Sequence, residues 1–236
     1  MKSQTFRSAW VASAMAVLIL MGALAGCTTT QQVSVQRSGV GGFLGDTSIL
    51  TSGDKDQASL RYINPAAQWT RYNKVLLEPV SFWGDDKTKI SPADQQMLTN
   101  FLHQQLYDQL SQKYEMVSEP GPGVMRLQVA LVDAEAATPV LRTVSMVIPQ
   151  ARALSTLKYL ATGTYPFIGG AEAEAKMTDS QTGQLLGEWV DKRVGGGSIK
   201  TAAQWQWGDA ENAMKEWATM AATKLSSWTS GAVKPS

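Results

Sequence analysis

From Ala171 to Thr178 the chain alternates without a break, with Ala171, Ala173, Ala175 and Met177 on one side and Glu172, Glu174, Lys176 and Thr178 on the other. Only an extended strand puts residues i and i+2 on a common face, so this segment has to enter a sheet with one small apolar face and one charged face. The turn formers Asp179-Ser180-Gln181-Thr182-Gly183 follow and lead into Leu185 to Arg193, which predicts a β-hairpin. An alanine face admits a close neighbour, and the candidate is the last amphipathic segment. There Ala210, Met214, Trp217, Ala221, Leu225 and Trp228 recur at three- or four-residue spacing, so a long C-terminal helix should pack tightly on the alanines. The glutamates are then expected to face solvent, with Lys176 as their charge partner.

The remaining elements fit the same layout. Lys74 to Val80 reads as a buried strand, and Ser91-Pro92-Ala93-Asp94 supplies an N-cap, a proline at the first helical position and an early acidic residue. Leu98, Leu102, Leu106 and Leu110, with Phe101 alongside, then mark an amphipathic helix running to about Lys113, with Thr99, Asn100, His103, Gln104 and Asp108 outward. Pro120-Gly121-Pro122-Gly123 breaks the chain before Leu127, Val129 and Leu131 alternate as a further strand. The stretch from Thr138 to Gly170 suggests a strand followed by irregular structure. No repeat or internal linker divides this region. The expectation is one α+β domain over 43–230, a mixed or antiparallel sheet packed by a helix near the middle and a long C-terminal helix, with a disordered tail at 231–236.

Composition limits the chemistry. Among 236 residues, 21 Lys and Arg against 20 Asp and Glu give a net charge of +1, so nothing points to nucleic acid as a partner. One cysteine and one histidine exclude an internal disulfide and zinc sites built from several such ligands.

The cysteine has a telling position. Lys2 and Arg7 precede an uncharged apolar run from Ala9 to Ala25, the pattern of an export signal over 1–26. The run is short and interrupted for a membrane span, which needs about 20 apolar residues. It ends in Leu24-Ala25-Gly26-Cys27, which resembles the lipobox of bacterial lipoproteins. That resemblance implies cleavage before Cys27, a diacylglycerol on its sulfur and an acyl chain on its new amino group, and no other cofactor. Several acyl chains make a lasting anchor where one is marginal. By resemblance to the Gram-negative sorting rule, Thr28 after the cysteine implies the outer membrane. The segment 27–42, polar and small from Thr28 to Gly42, reads as lipidated cysteine plus flexible tether, reaching about 50 Å when extended.

Several pieces together resemble a family of bacterial lipoproteins catalogued only as a domain of unknown function. They are Gly42-Phe43-Leu44-Gly45-Asp46, Leu60-Arg61-Tyr62-Ile63-Asn64-Pro65, Tyr72-Asn73-Lys74-Val75, Ala161-Thr162-Gly163, Asp179 with Thr182-Gly183, and Val190-Asp191-Lys192-Arg193 with Gly195. The resemblance implies a periplasm-facing lipoprotein and brings no established activity or catalytic residue.

Few residues offer chemistry. His103 lacks an evident catalytic partner. Glu172 and Glu174 project from one strand face about 6.5–7 Å apart, within reach of paired-carboxylate glycoside chemistry. Asp54 with Asp56, or Asp85 with Asp86, could join a calcium site but lack an EF-hand ligand run. Gly39, Gly41, Gly42 and Gly45 miss the dinucleotide spacing because Leu44 stands where a glycine belongs. Gly195-Gly196-Gly197-Ser198 could form an anion nest or a flexible strand exit. Trp205 and Trp207 could form an aromatic platform or pack in the core. The reading is a non-enzymatic module tethered to the membrane, with metal sites absent, binding another envelope protein or peptidoglycan. The alternatives are a periplasmic hydrolase using Glu172 and Glu174, and a carrier of lipid or a small apolar ligand, which would require an internal cavity.

Overall fold

The structure is a computed structural model that describes residues 30–40, 42–54, 56–84, 89–137, 168–196 and 205–235. Leu24, Ala25, Gly26 and Cys27, Asp85 and Asp86, Gly197 and Ser198, and nearly all of the segment from Thr138 to Gly170 lie outside the described residues.

The architecture is α+β, a mixed sheet of nine strands among the described residues with two helices on one side. The strands are β1 (Thr30–Val33), β2 (Thr51–Ser52), β3 (Leu60–Ile63), β4 (Lys74–Leu77), β5 (Ser81–Phe82), β6 (Glu115–Met116), β7 (Val124–Glu135), β8 (Gly170–Asp179) and β9 (Leu185–Gly195), and the helices are α1 (Pro92–Leu110) and α2 (Gly208–Thr229). The order across the sheet is β2-β3-β9-β8-β7-β4-β6, with β1 added to β9 beyond β3 and β5 added to β7. β7–β8 and β8–β9 are antiparallel, whereas β4 pairs in parallel with both β7 and β6, and β5 pairs in parallel with β7.

Local chemistry explains the main elements. Ser91 caps α1, its hydroxyl oxygen accepting from the Asp94 backbone N–H at 3.2 Å, and Pro92 occupies the first turn where no donor is needed. Leu98, Leu102, Leu106 and Leu110 are all buried, as their spacing predicts. Thr99 is buried too, contrary to its expected outward position. Its hydroxyl donates to the Gln95 carbonyl at 2.9 Å, so its polar group is satisfied within the helix and the methyl can face the core. His103 is half-buried on the same helix.

The predicted hairpin is β8–β9. Asp179 Oδ1 accepts from the backbone N–H groups of Gln181 (3.0 Å) and Thr182 (2.8 Å), and Gly183 takes a φ of 71° that suits glycine. Asp179 Oδ2 accepts from the Tyr72 hydroxyl at 2.9 Å, tying the turn to the start of β4. Burial works against ionising Asp179, yet the bonds from Thr182, Tyr72 and Gln181 outweigh it and hold the carboxyl below its ordinary value. Burial, then the bond to this carboxylate, push the Tyr72 phenol up to about 12.

Register fixes what each sheet face carries. On the helix side the cross-strand rows are Leu131–Ala173–Asp191, Val129–Ala175–Trp189–Arg61 and Leu127–Met177–Gly187–Ile63. The opposite side carries Asp133–Glu172–Lys192, Ala130–Glu174–Val190–Leu60 and Gln128–Lys176–Glu188–Tyr62.

Two expectations need correction. The segment read as a tether does not stay free, because Thr30 to Val33 pair with Gly195 to Lys192 as β1. Backbone pairing recruits this polar stretch to a sheet edge, and side chains secure it. Gln32 donates to Asp191 Oδ1 at 2.6 Å and Thr30 donates to Glu216 Oε2 at 2.6 Å.

The charged hairpin face, in turn, is not open to solvent. Residues 34–40 and 42–50 form a strap across it, placing Leu44 and Leu50 on Leu60 and Val190, with Val35, Val40, Phe43 and Tyr62 around them. Glu174, which shares a row with Val190 and Leu60, is 0 % exposed as a result. The resembling motif Gly42 to Asp46 acquires a role here. Leu44 plugs the small core, Gly45 takes a φ of 82°, and Asp46 Oδ1 accepts the Ser48 N–H at 2.9 Å.

Candidate ligand-binding cavity

The alanine face is covered by α2, but not closely. The helix presses on the sheet at its start, where Ala210, Ala213, Met214 and Ala218 are fully buried. At that end Asp209 accepts the Gly169 N–H at 3.0 Å, and a Cβ on Gly195 would stand 2.3 Å from the Asp209 carboxylate, so only glycine fits beneath the helix there.

Two tryptophans then set the spacing. The Trp217 indole N–H donates to Asp191 Oδ2 at 2.8 Å on the sheet floor. Trp228 stacks on Trp189 with ring centroids 6.4 Å apart and meets Trp69 edge-on at 5.1 Å. A Cβ on Gly187 would strike the Trp189 ring at 2.6 Å, so glycine makes room for that indole on the floor. Eleven residues separate the two pillars, about 16 Å along the helix axis. Between them β8 offers the short side chains Ala173 and Ala175, which remain half-buried. The predicted tight packing fails because the bulk of the two indoles exceeds what the alanines fill.

The consequence is a cavity of about 340 Å³. Ala173, Ala175, Trp189 and Ile63 form its floor, Met220, Ala221 and Leu225 its roof, and Leu102 and Leu106 of α1 its back wall. Its size falls at the lower end of the roughly 300–1,000 Å³ usual for small-molecule sites, and its walls are mostly apolar. Charged groups gather at the mouth, where Arg61, Lys224 and Lys234 outnumber Asp56.

Asp191 organises one end. This buried carboxylate takes four donors, from Gln32 (2.6 Å), the Ser59 N–H (2.9 Å), Arg193 Nε (2.9 Å) and Trp217 (2.8 Å). Arg193 also reaches Glu216 Oε2 at 2.5 Å, so β1, β9 and α2 meet in one network. The resembling run Val190 to Arg193 with Gly195 thus supplies the floor, the network and the clearance for α2.

The residues singled out from the sequence are dispersed. Glu172 lies on the strap side, its carboxylate 3.5 Å from the Lys192 ammonium rather than paired with Lys176. Burial pushes its carboxyl up and Lys192 pulls it back, with the net direction upward. Lys192 itself is shifted up, since Glu172, Asp133 and Glu135 outweigh its desolvation. Lys176 instead meets Glu188 at 3.7 Å. Trp207 is core, donating to Asp94 Oδ1 at 3.2 Å, while Trp205 stands 48 % exposed, so the two form no shared platform. Asp54 and Asp56 are exposed loop residues, and Asp56 alone of the predicted acids borders the cavity. His103 is not part of its walls. Among the described residues no three His, Cys, Asp or Glu side chains converge as metal ligands would.

Apart from Asp56, the cavity residues were not singled out from the sequence as candidate site residues. The available signal was two tryptophans three turns apart on a helix whose facing strand carries alanine at three of four positions, a mismatch of volumes rather than a motif.

Comparison with known proteins places the chain. Among solved structures it is similar to a PelC variant, a dodecamer from Paraburkholderia phytofirmans, at 11% identity and a TM-score of 0.39, covering 70% of this chain and 94% of that one. It is also similar to protein XCC0632 of Xanthomonas campestris, assigned to DUF330, at 11% identity and a TM-score of 0.39, covering 72% and 94%. No curated protein matches. The family model described as protein of unknown function (DUF3313) matches residues 40–221, from the strap through the hairpin to the cavity roof, and the chain belongs to that family.

Proposed function

We propose that this protein is a lipid-anchored module of the bacterial outer membrane that performs no chemistry of its own and holds an apolar ligand between α2 and the sheet. The observation that carries the reading is the cavity over Ala173 and Ala175. Apolar ligand carriage required such a space, and paired-carboxylate hydrolysis required Glu172 and Glu174 to face a substrate. Glu172 is instead engaged by Lys192, and Glu174 is sealed under the strap. Each methylene moved from water contributes about 0.8 kcal/mol, so a chain of about ten carbons gains about 8 kcal/mol. Association and ordering losses of about 4 kcal/mol leave about 4 kcal/mol, which is millimolar binding from the chain alone.

The anchor reading rests on Leu24-Ala25-Gly26-Cys27, with Thr28 favouring the outer membrane. Because β1 starts at Thr30, three residues span the distance from the lipidated cysteine to the folded body, at most about 10 Å. The body would sit close to the membrane, not on the long tether that the sequence suggested. Cys27→Ala should leave the protein unprocessed and poorly anchored; a mature, membrane-bound product of unchanged mass would refute lipidation.

The cavity is tested with N-phenylnaphthylamine, a neutral dye that brightens in apolar surroundings. The full chain should bind it, and Ala175→Leu should abolish binding while changing stability by less than about 1 kcal/mol, since the added carbons enter empty space. Ala218→Leu, on the closely packed half of α2, should cost about 1–3 kcal/mol. Equal binding by wild type and Ala175→Leu would overturn the ligand-binding reading.

A further inference from the structure

We infer that the ligand is a single-chain amphiphile with an anionic head, its acyl chain lying between Trp217 and Trp228 and its head at the mouth beside Arg61, Lys224 and Lys234; this rests on the ligand-binding reading above. Three features of the cavity select for that class. Its volume of about 340 Å³ suits one chain and is too small for a two-chain lipid, given that drug-sized ligands take roughly 300–1,000 Å³. Its floor and roof offer mostly alanine, methionine, leucine and indole surface, with Thr223 and Ser227 the hydroxyl-bearing residues among its lining. Charge then supplies the orientation, with Arg61, Lys224 and Lys234 against Asp56, while the other lining carboxylate, Asp191, is already engaged by four donors.

The placement of the mouth fits an amphiphile that comes from a bilayer. Thr30, the first residue of β1, bonds to Glu216, and Lys224 lies two turns further along α2, about 12 Å away. An anchor attached just before Thr30 would hold the cavity opening near the lipid surface. An acyl chain could then enter without crossing much water, with its head remaining among the lysines.

The experiment is displacement of N-phenylnaphthylamine from the full chain by dodecanoate, dodecyl phosphate, dodecanol and dodecylamine, which share a chain and differ in the head. Both anions should bind about tenfold more tightly than dodecanol, and dodecylamine should be the weakest, with the spread shrinking in high salt. Whichever anion ranks first identifies the head as carboxylate or phosphate. Lys224→Glu combined with Lys234→Glu reverses two of the charges at the mouth, and should remove the preference for dodecanoate over dodecanol while circular dichroism stays unchanged. Equal binding of dodecanoate and dodecanol, or an anion preference that survives the double substitution, would overturn the head-group inference and leave the cavity reading standing. If the dye does not bind at all, both readings fall together.

Discussion

The two faces of the β8–β9 hairpin are written with the same period-two alternation and end up covered by opposite ends of the chain. On the helix side, small and aromatic residues lie under α2, and the cover stands off wherever alanine meets the gap between Trp217 and Trp228. On the strap side, Glu172, Glu174, Lys176, Glu188 and Lys192 lie with Val190 and Leu60 under a glycine-rich segment that has only a few apolar side chains to contribute. The apolar face contains empty space and part of the charged face is sealed, the reverse of what polarity alone implies. Alternation states which residues share a face, whereas burial depends on the volume and path of whatever crosses above it.

The largest effect expected from this contrast comes from Asp191, the polar group that holds the helix cover in place. Asp191→Ala would leave the Trp217 indole N–H, the Ser59 N–H and the Gln32 amide without their acceptor and would take one partner from Arg193. A loss of about 3–5 kcal/mol is expected in urea denaturation. Because Trp217 also sets the cavity height, the variant should bind N-phenylnaphthylamine less well even under conditions where it remains folded. A cost below about 1 kcal/mol would mean that the indole spacing, not the carboxylate network, positions α2.

The strap should be weaker and more local. Leu44 is 4 % exposed and sits in a cluster separate from the main core. Leu44→Ala should cost about 2–3 kcal/mol. Hydrogen exchange should quicken in residues 34–50 and at the Val190 and Leu60 row, while α1 and β7 keep their protection. Uniform loss of protection across the domain would show that both faces unfold as one unit, and that the strap is integral to the core.

Much of this was readable from the residues. The leucine spacing of α1, the cap at Ser91, the hairpin turn at Asp179 and the long last helix all arise from local periodicity, which the chain carries within a few residues. The strap and β1 were misread as tether because their stabilisation is non-local. Gln31 and Gln32 announce no strand, and they become one only because β9 leaves part of an edge open beyond β3. Glu174 was placed in solvent for the same reason, its cover coming from Leu44 and Leu50, far away in sequence. The cavity was missed because it results from a difference in side-chain volume across two elements, and no single element displays it.

The smallest predicted effect concerns the ionisation of the strap-side face. Burial raises the Glu172 carboxyl above its ordinary 4.5 despite the ammonium of Lys192. The folded state therefore binds this proton more tightly than the unfolded chain does. The stability that Glu172 contributes is fully present below pH 4.5 and is lost as pH rises through its folded value. Glu172→Gln removes that pH dependence, while Asp133 and Glu135 still neutralise Lys192, at 3.5 Å and 3.7 Å. The variant should thus gain on wild type as pH rises from 4.5 toward neutrality, a divergence visible in urea midpoints measured across that range. If the two curves instead converged as pH rises, the attraction of Lys192 would dominate desolvation, and the strap would be less effective at excluding water than the helices on the opposite face.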